Sequence, residues 1–338
     1  SSGKTTLIYK FIEQYLPARE YEIKHFNLRE LLLINYESFL RAFFELKRKD
    51  QIKETRQYDL KVFKLSLETI KGLESRQLDP FIVMKRELEK ISRKGRRPVI
   101  IIDELQALDE IYFNGGRELI NEIFNFFVAI SKESHLCHVI ISSSDGYFIE
   151  RVYHDSKLKK TSELMEVAYL QYEHVMDWLG DLGTYSKIDS FVLSDGQRQA
   201  IWDFFGGSCW EVSNFLGQLL NIARDGRIAD QDFNELLEKK RIFFRSMFME
   251  YASIIPKKKA LLREISKAIV KKGSFVLEDL TDLVEQDCWE VETLIKELGF
   301  LVSQNFLSYA PPRAEYAMQG RSMELGLAAY IKFLGDGV

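Results

Sequence analysis

Residues 98–104 read Pro-Val-Ile-Ile-Ile-Asp-Glu. An apolar run of this kind, ending at once in two carboxylates, leaves few folds open. A strand with one face in water alternates apolar and polar residues; an unbroken apolar run suits a parallel strand covered on both faces. The β-branched side chains favour the extended backbone as well. A second run, His138-Val139-Ile140-Ile141, ends in Ser142-Ser143-Ser144-Asp145. Both runs place polar groups at the carboxyl end of a strand, where open α/β sheets bind their ligands.

The spacing of apolar residues around these runs predicts the other elements. Residues 4–16 carry Leu7, Phe11, Tyr15 and Ile8, Ile12, Leu16 at the i, i+4 interval of a helix with one buried face. Tyr21 to Phe26 reads as a strand, followed by a helix to about Lys49 and a helical insertion over 50–77. Asp79-Pro80 starts a further helix, proline being favoured in the first turn. Another helix is predicted over 116–131, and Leu164 to Leu170 is a weaker strand candidate. Alternating strands and helices define an α/β domain with a mostly parallel sheet over 1–170.

Beyond Gln171 the pattern is helical to 255, with Ser194 and Ser208 placed as N-caps. Pro256 and a lysine triplet read as a linker. Helices over 260–272, 277–285 and 288–298, then a β-like stretch over 300–318 with a Pro-Pro turn, follow the order of a winged helix-turn-helix. The expected domains are therefore 1–170, 171–255 and 256–338.

Composition narrows the class further. At 46% hydrophobic and 29% charged residues, the 338-residue chain suits a globular protein with a sizeable core. A net charge of −4 gives no global nucleic-acid signature, so any basic surface must be local. Three scattered cysteines, Cys137, Cys209 and Cys288, form neither a disulfide framework nor a C-x-x-C metal spacing. A reducing, cytoplasmic setting is expected, and the apolar runs are too short to span a bilayer.

Gly3-Lys4-Thr5 opens the first predicted helix. Free N–H groups at a helix start attract phosphate. A glycine lets the backbone wrap closely, a lysine reaches the β- and γ-phosphates, and a threonine hydroxyl binds Mg²⁺. Gly-Lys-Thr alone also suits an ordinary flexible terminus. The context adds weight: nucleotide hydrolysis needs an acid near Mg²⁺ and a group to orient water, and Asp103 and Glu104 stand at a buried strand end. The serines at 142–144 end the next strand. A phosphate loop follows a strand, so a strand and a glycine-containing loop are expected upstream of Ser1.

With these residues the sequence resembles the archaeal ATPase branch of the P-loop AAA+/STAND ATPases. The stretches that carry the resemblance are SSGKTTLIYKF at 1–11, FNLRE at 26–30, PVIIIDELQAL at 98–108, HVIISSSDG at 138–146 and FFGGSCWEVSNFL at 204–216. It implies an α/β P-loop NTPase core of the ASCE/AAA+ kind, a helical lid and a C-terminal winged helix, binding ATP and Mg²⁺. It further implies that Ser2, Gly3, Lys4, Thr5 and Thr6 hold phosphate, that Thr5 and Asp103 hold Mg²⁺, and that Glu104 is the catalytic base. Ser142 and Ser144 would sense the γ-phosphate, and Gly207 would lie in the lid contact to the nucleotide. Two departures stand out. Cys209 occupies the place of the proline in the lid's Gly-Gly-x-Pro, and Lys159-Lys160 replaces the Gly-Arg pair that follows the sensor strand. An arginine-finger role is unsupported there, with Arg151 the alternative cation.

Charge tests the partner. Residues 239–272 hold 11 Lys/Arg against 2 acidic residues, a stretch suited either to phosphates or to a solvated face. The third helix of the winged segment is acidic, with Asp287, Glu290, Glu292 and Glu297 against Lys296. Its core face is expected to be Val291, Leu294, Ile295 and Leu298, and Trp289 is either a contact or buried. Any DNA contact is expected through the basic stretch or the wing near Arg313; a protein partner on the acidic surface is the other reading. Two functions stay open: an ATPase whose nucleotide state moves the lid and winged helix, oligomeric or not, or a slow nucleotide-dependent switch that binds DNA or protein.

Overall fold

The computed structural model describes residues 3–28, 40, 43–46, 63–65, 67–75, 77–108, 111, 118–143, 146, 148–149, 160–253, 255–285 and 288–335. The chain divides into two compact units, Lys4–Met165 and Glu166–Val338, with Ser1–Gly3 grouped with the latter.

In the first unit, α1 (Lys4–Tyr15) leads to β1 (Tyr21–Asn27). Strands β2 (Phe44–Leu46) and β3 (Phe63–Leu65) pair in parallel with each other. Helices α2 (Leu67–Glu74) and α3 (Pro80–Arg93) precede β4 (Arg97–Asp103). A 3₁₀ turn (Leu105–Leu108), α4 (Leu119–Val128), a π-helical turn (Ala129–Glu133) and β5 (His138–Ile141) complete the elements. The main sheet is parallel, in the order β1-β4-β5.

The continuous apolar run of β4 is explained by its two covers. Val99 and Ile101 join Ile23 on one face, where Ile8, Ile12 and Leu16 of α1 pack. Ile100 and Ile102 enter the larger cluster on the other face, with Leu88, Ile91, Ile123 and Phe124 of α3 and α4. Burying each isoleucine favours this arrangement by about 1.5–3 kcal/mol. Asp79 caps α3, its carboxylate accepting the N–H of Phe81 at 2.8 Å.

Several expectations are corrected. The insertion holds a strand, β3, whose Phe63 and Leu65 are buried beside Phe44, so it is not wholly helical. Leu7, Phe11 and Tyr15 are exposed within their unit, and only the row Ile8, Ile12, Leu16 packs. Residues 164–170 form no strand; Leu170 instead donates its N–H to the carbonyl of Gly207 at 3.0 Å.

The second unit begins with α5 (Tyr172–Gly180) and α6 (Leu182–Ser186). Strand β6 (Phe191–Val192), α7 (Asp195–Phe205), α8 (Cys209–Leu219), β7 (Gly226–Arg227) and α9 (Asp230–Tyr251) follow. Ser194 and Gln197 form a reciprocal capping box at the start of α7. Ser208 stands at the N-cap position of α8 without a side-chain capping bond.

The C-terminal part comprises α10 (Pro256–Lys272), a 3₁₀ turn (Leu277–Leu280), α11 (Thr281–Glu285) and α12 (Val291–Ser303). An antiparallel hairpin, β8 (Leu307–Ala310) and β9 (Glu315–Met318), precedes α13 (Arg321–Phe333). Phe275 bridges to Tyr316 with hydrogen bonds of 2.8 and 2.7 Å, pairing a third chain segment with β9. This is the order of a winged helix-turn-helix. Pro256 is no linker residue; it starts α10, its missing N–H costing nothing in a first turn.

The core face of α12 is Leu294, Leu298, Leu301 and Val302, whereas Val291 and Ile295 are 49% and 39% exposed. Successive helical residues are rotated by about 100°, which carries Ile295 off the stripe that Leu294 leads. Trp289 is buried, its ring under the Lys257 ammonium at 4.2 Å.

Candidate nucleotide site at the strand ends

Strand register brings the candidate residues together. Asn27 of β1 pairs with Asp103 of β4. Ile102 pairs with Ile141 of β5, and the ladder continues as the Ser142 N–H donates to the Ile102 carbonyl at 2.8 Å. Asp103 and Ser142 therefore end adjacent strands.

Gly3 has φ +80°, a left-handed backbone that a side chain would strain. The chain turns there into α1, whose first residue is Lys4. Thr5, one residue on, donates its hydroxyl to Asp103 Oδ2 at 2.7 Å. Thr6 is exposed. The start of the first helix and the end of β4 thus meet through one side-chain hydrogen bond.

Asp103 is 1% exposed, and its Oδ1 is buried with no hydrogen-bond partner among the described residues. The same holds for Ser142 Oγ. Buried polar atoms in this state call for a ligand. A hydroxyl and a single carboxylate suit Mg²⁺, which keeps waters and phosphate oxygens in its shell and takes few protein ligands. The residues present therefore fit a nucleotide-bound Mg²⁺. Among the described residues, no three His, Cys, Asp or Glu side chains gather into a metal cluster.

Glu104 is buried and has φ +61°. A non-glycine residue in the left-handed region is uncommon and tends to mark functional positions. The 3₁₀ turn begins immediately afterwards: the Ala107 N–H donates to the Glu104 carbonyl at 3.0 Å. The turn is pinned by the fully buried Leu105 and Leu108 and by the Leu105 N–H, which donates to the Ser142 carbonyl at 3.2 Å. The Gln106 amide then donates to Glu104 Oε2, and Ser143 Oγ donates to Gln106 Oε1 at 2.7 Å.

Gln106 lies outside the expected site residues, whereas Ser143 belongs to the serine cluster at 142–144. Of the two described serines, Ser143 and not Ser142 makes the side-chain link to Gln106. Ser2, Ser144, Arg151 and Lys159 lie outside the described residues, and Lys160 is exposed. Gly207 belongs to the second unit, where a Cβ would stand 1.9 Å from the Leu170 carbonyl oxygen. Its glycine is accounted for by that close approach of two backbones.

Three of the six lysines of α10 form ion pairs. Lys258 pairs with Glu297 at 2.9 Å, Lys267 with Glu264 at 2.8 Å and Lys272 with Asp279 at 2.5 Å. Glu297 also accepts the Tyr251 hydroxyl at 2.6 Å. Burial, reinforced by that carboxylate, pushes the Tyr251 phenol up.

A parallel sheet with a helix start, a carboxylate pair and a hydroxyl cluster at its strand ends, followed by a helical lid segment and winged-helix elements, defines a P-loop NTPase of the ASCE/AAA+ kind. A family of ATPase domains found predominantly in Archaea matches residues 1–215, and the chain belongs to it.

Relatives in Methanocaldococcus jannaschii are uncharacterized ATP-binding proteins. One is 37% identical over 285 residues, covering 82% of this chain and 81% of that protein. Another is 37% identical over 188 residues, 54% of this chain and 52% of the relative. A third is 35% identical over 195 residues, 57% of this chain and 58% of the relative. The matches to these last two thus span little more than half the length of each relative.

Among solved structures, a Walker-type ATPase of Pyrococcus abyssi superposes with a TM-score of 0.57 at 15% identity, over 96% of this chain and 88% of that one. The Aeropyrum pernix ORC2 protein, in ADPNP–ADP complexes, gives 0.50 at 10% identity, over 99% and 86%. At these identities the likeness is one of fold. No described helix is long and apolar enough to cross a membrane.

Proposed function

We propose that this chain is a cytoplasmic, Mg²⁺-dependent ATP hydrolase of the AAA+/STAND type. The observation that carries the reading is the 2.7 Å hydrogen bond from Thr5 to Asp103, which joins the start of a phosphate-type helix to a strand-end carboxylate. Gly3 to Thr6 and the N–H groups heading α1 would cradle the phosphates, with Ser2 continuing the cradle. Thr5 and Asp103 would hold Mg²⁺, which supplies charge neutralisation on the phosphate oxygens.

Glu104 would accept a proton from water as the water oxygen bonds to the γ-phosphorus. The bond from that phosphorus to the bridging oxygen breaks, and its electron pair leaves with ADP. Lys4 offsets charge on the transferring group. Ser142 and Ser144 would sense the γ-phosphate and Gly207 would serve the lid. We assign domains 1–170, 171–255 and 256–338, with nucleotide state setting the arrangement of lid and winged helix.

The test is steady-state phosphate release with Mg²⁺. Glu104→Gln should lower kcat by on the order of 10²–10⁴ while leaving ATP bound. Lys4→Ala should weaken ATP binding itself. Turnover unchanged by Glu104→Gln would remove Glu104 from the role of base.

A second reading, a slow switch, differs in using turnover only to reset a bound partner. The pairing of Lys258, Lys267 and Lys272 within the fold favours a protein over DNA as that partner.

A further inference from the structure

We propose that Gln106 is a positioning residue for Glu104, fixing the orientation of its carboxylate toward the attacking water through the hydrogen bond to Oε2. The inference rests on the reading of Glu104 as base. An ionised carboxylate only accepts hydrogen bonds, so the Gln106 NH₂ must face it. The amide oxygen then points the other way, and Ser143 donates to it at 2.7 Å. The Gln106 amide thus donates to Glu104 on one side and accepts from Ser143 on the other.

The geometry depends on the left-handed backbone of Glu104. In a continuing strand, residues 104 and 106 would share a face but stand well apart along the strand. The φ of +61° folds the chain back, so that both side chains converge across one turn. Leu105 and Leu108 anchor that turn in the core, and the Leu105–Ser142 backbone bond ties it to the end of β5. Gln106 therefore sits on a fixed platform, with its amide between the ends of β4 and β5. A carboxylate held at one oxygen loses torsional freedom, and misplacement of a reacting group by 1 Å costs about a hundredfold in rate.

The test uses the full-length protein and the near-isosteric Gln106→Met, which keeps the volume and removes both hydrogen bonds. Its kcat should fall on the order of a hundredfold with KM and ATP affinity unchanged. In a Glu104→Gln background the same substitution should cause no further loss. Ser143→Ala should lower kcat about tenfold by the same route, and it serves where Gln106→Met fails to fold. A Gln106→Met protein with kcat within about twofold of the natural chain overturns the proposal. An equal loss in the Glu104→Gln background overturns it too, since Gln106 would then act elsewhere. Full activity in Glu104→Gln alone refutes the base assignment, a separate and distinguishable failure.

Discussion

Thr5 and Asp103 stand 98 residues apart in the chain and 2.7 Å apart in space. The bond satisfies one oxygen of a nearly inaccessible carboxylate, and no other described side chain bonds to Asp103. Thr5→Ala leaves both Asp103 oxygens without a partner, a cost of about 1–3 kcal/mol. Thr5→Ser keeps the donor. Thermal unfolding should separate the two variants, alanine lower and serine close to the natural chain. Phosphate release should follow the same order.

Gly207 tests the packing of the second unit. The missing Cβ would overlap the Leu170 backbone at 1.9 to 2.7 Å, and backbone atoms cannot rotate away. Gly207→Ala should destabilise by about 1–3 kcal/mol, the range for forced overpacking. Denaturant unfolding followed by the fluorescence of Trp178 or Trp202, both in that unit, reads the shift. A midpoint equal to that of the natural chain would mean the 165–171 segment shifts freely.

Glu211 gives a pH dependence of known sign. Burial pushes its carboxyl above the ordinary value of 4.5, against the Ser322 hydroxyl that donates to it. A raised carboxyl means that the folded state holds its proton longer than the unfolded chain does. The associated stability is present below the unfolded pKa and lost as pH rises through the folded one. Glu211→Gln should therefore match the natural protein near pH 4 and become progressively more stable than it as pH rises, then level off. Unfolding midpoints across a pH series check this; a gap that shrinks with pH contradicts the assignment.

The basic helix α10 predicts weak salt dependence. With Lys258, Lys267 and Lys272 engaged, Lys257, Lys259 and Lys271 of this helix make no ion pair among the described residues. Three phosphate contacts correspond to a slope of about −3 in log K against log salt for duplex DNA. Titration of a labelled duplex between low and moderate salt measures it. A slope near −8 would show that the internal pairs open to DNA.

Much of this was legible because the signals were local. Asp79-Pro80 and the Ser194–Gln197 box announce helix starts through contacts two or three residues long. The β4 run announces burial on both faces without reference to any other segment. The parts that escaped depend on distant partners. Whether Ser142 or Ser143 faces Gln106 is set by strand register, and Ser143 and Gln106 are 37 residues apart in the chain. Gln106 lies within the stretch 98–108 but has no role legible there, since only the backbone reversal at Glu104 brings it into reach. The ion pairs of α10 escape a reading of the sequence for the same reason. Glu297 is 39 positions from Lys258, and no count along the sequence pairs them.

The reversed backbone at Glu104 has a consequence for how the protein can be improved or spoiled. Holding a side-chain-bearing residue in that conformation costs about 1–3 kcal/mol, and glycine would not incur it. Heat tolerance and turnover therefore ask for different residues at one position. A library screened for thermal survival alone should enrich glycine at 104, and those survivors should be folded, nucleotide-binding and inactive.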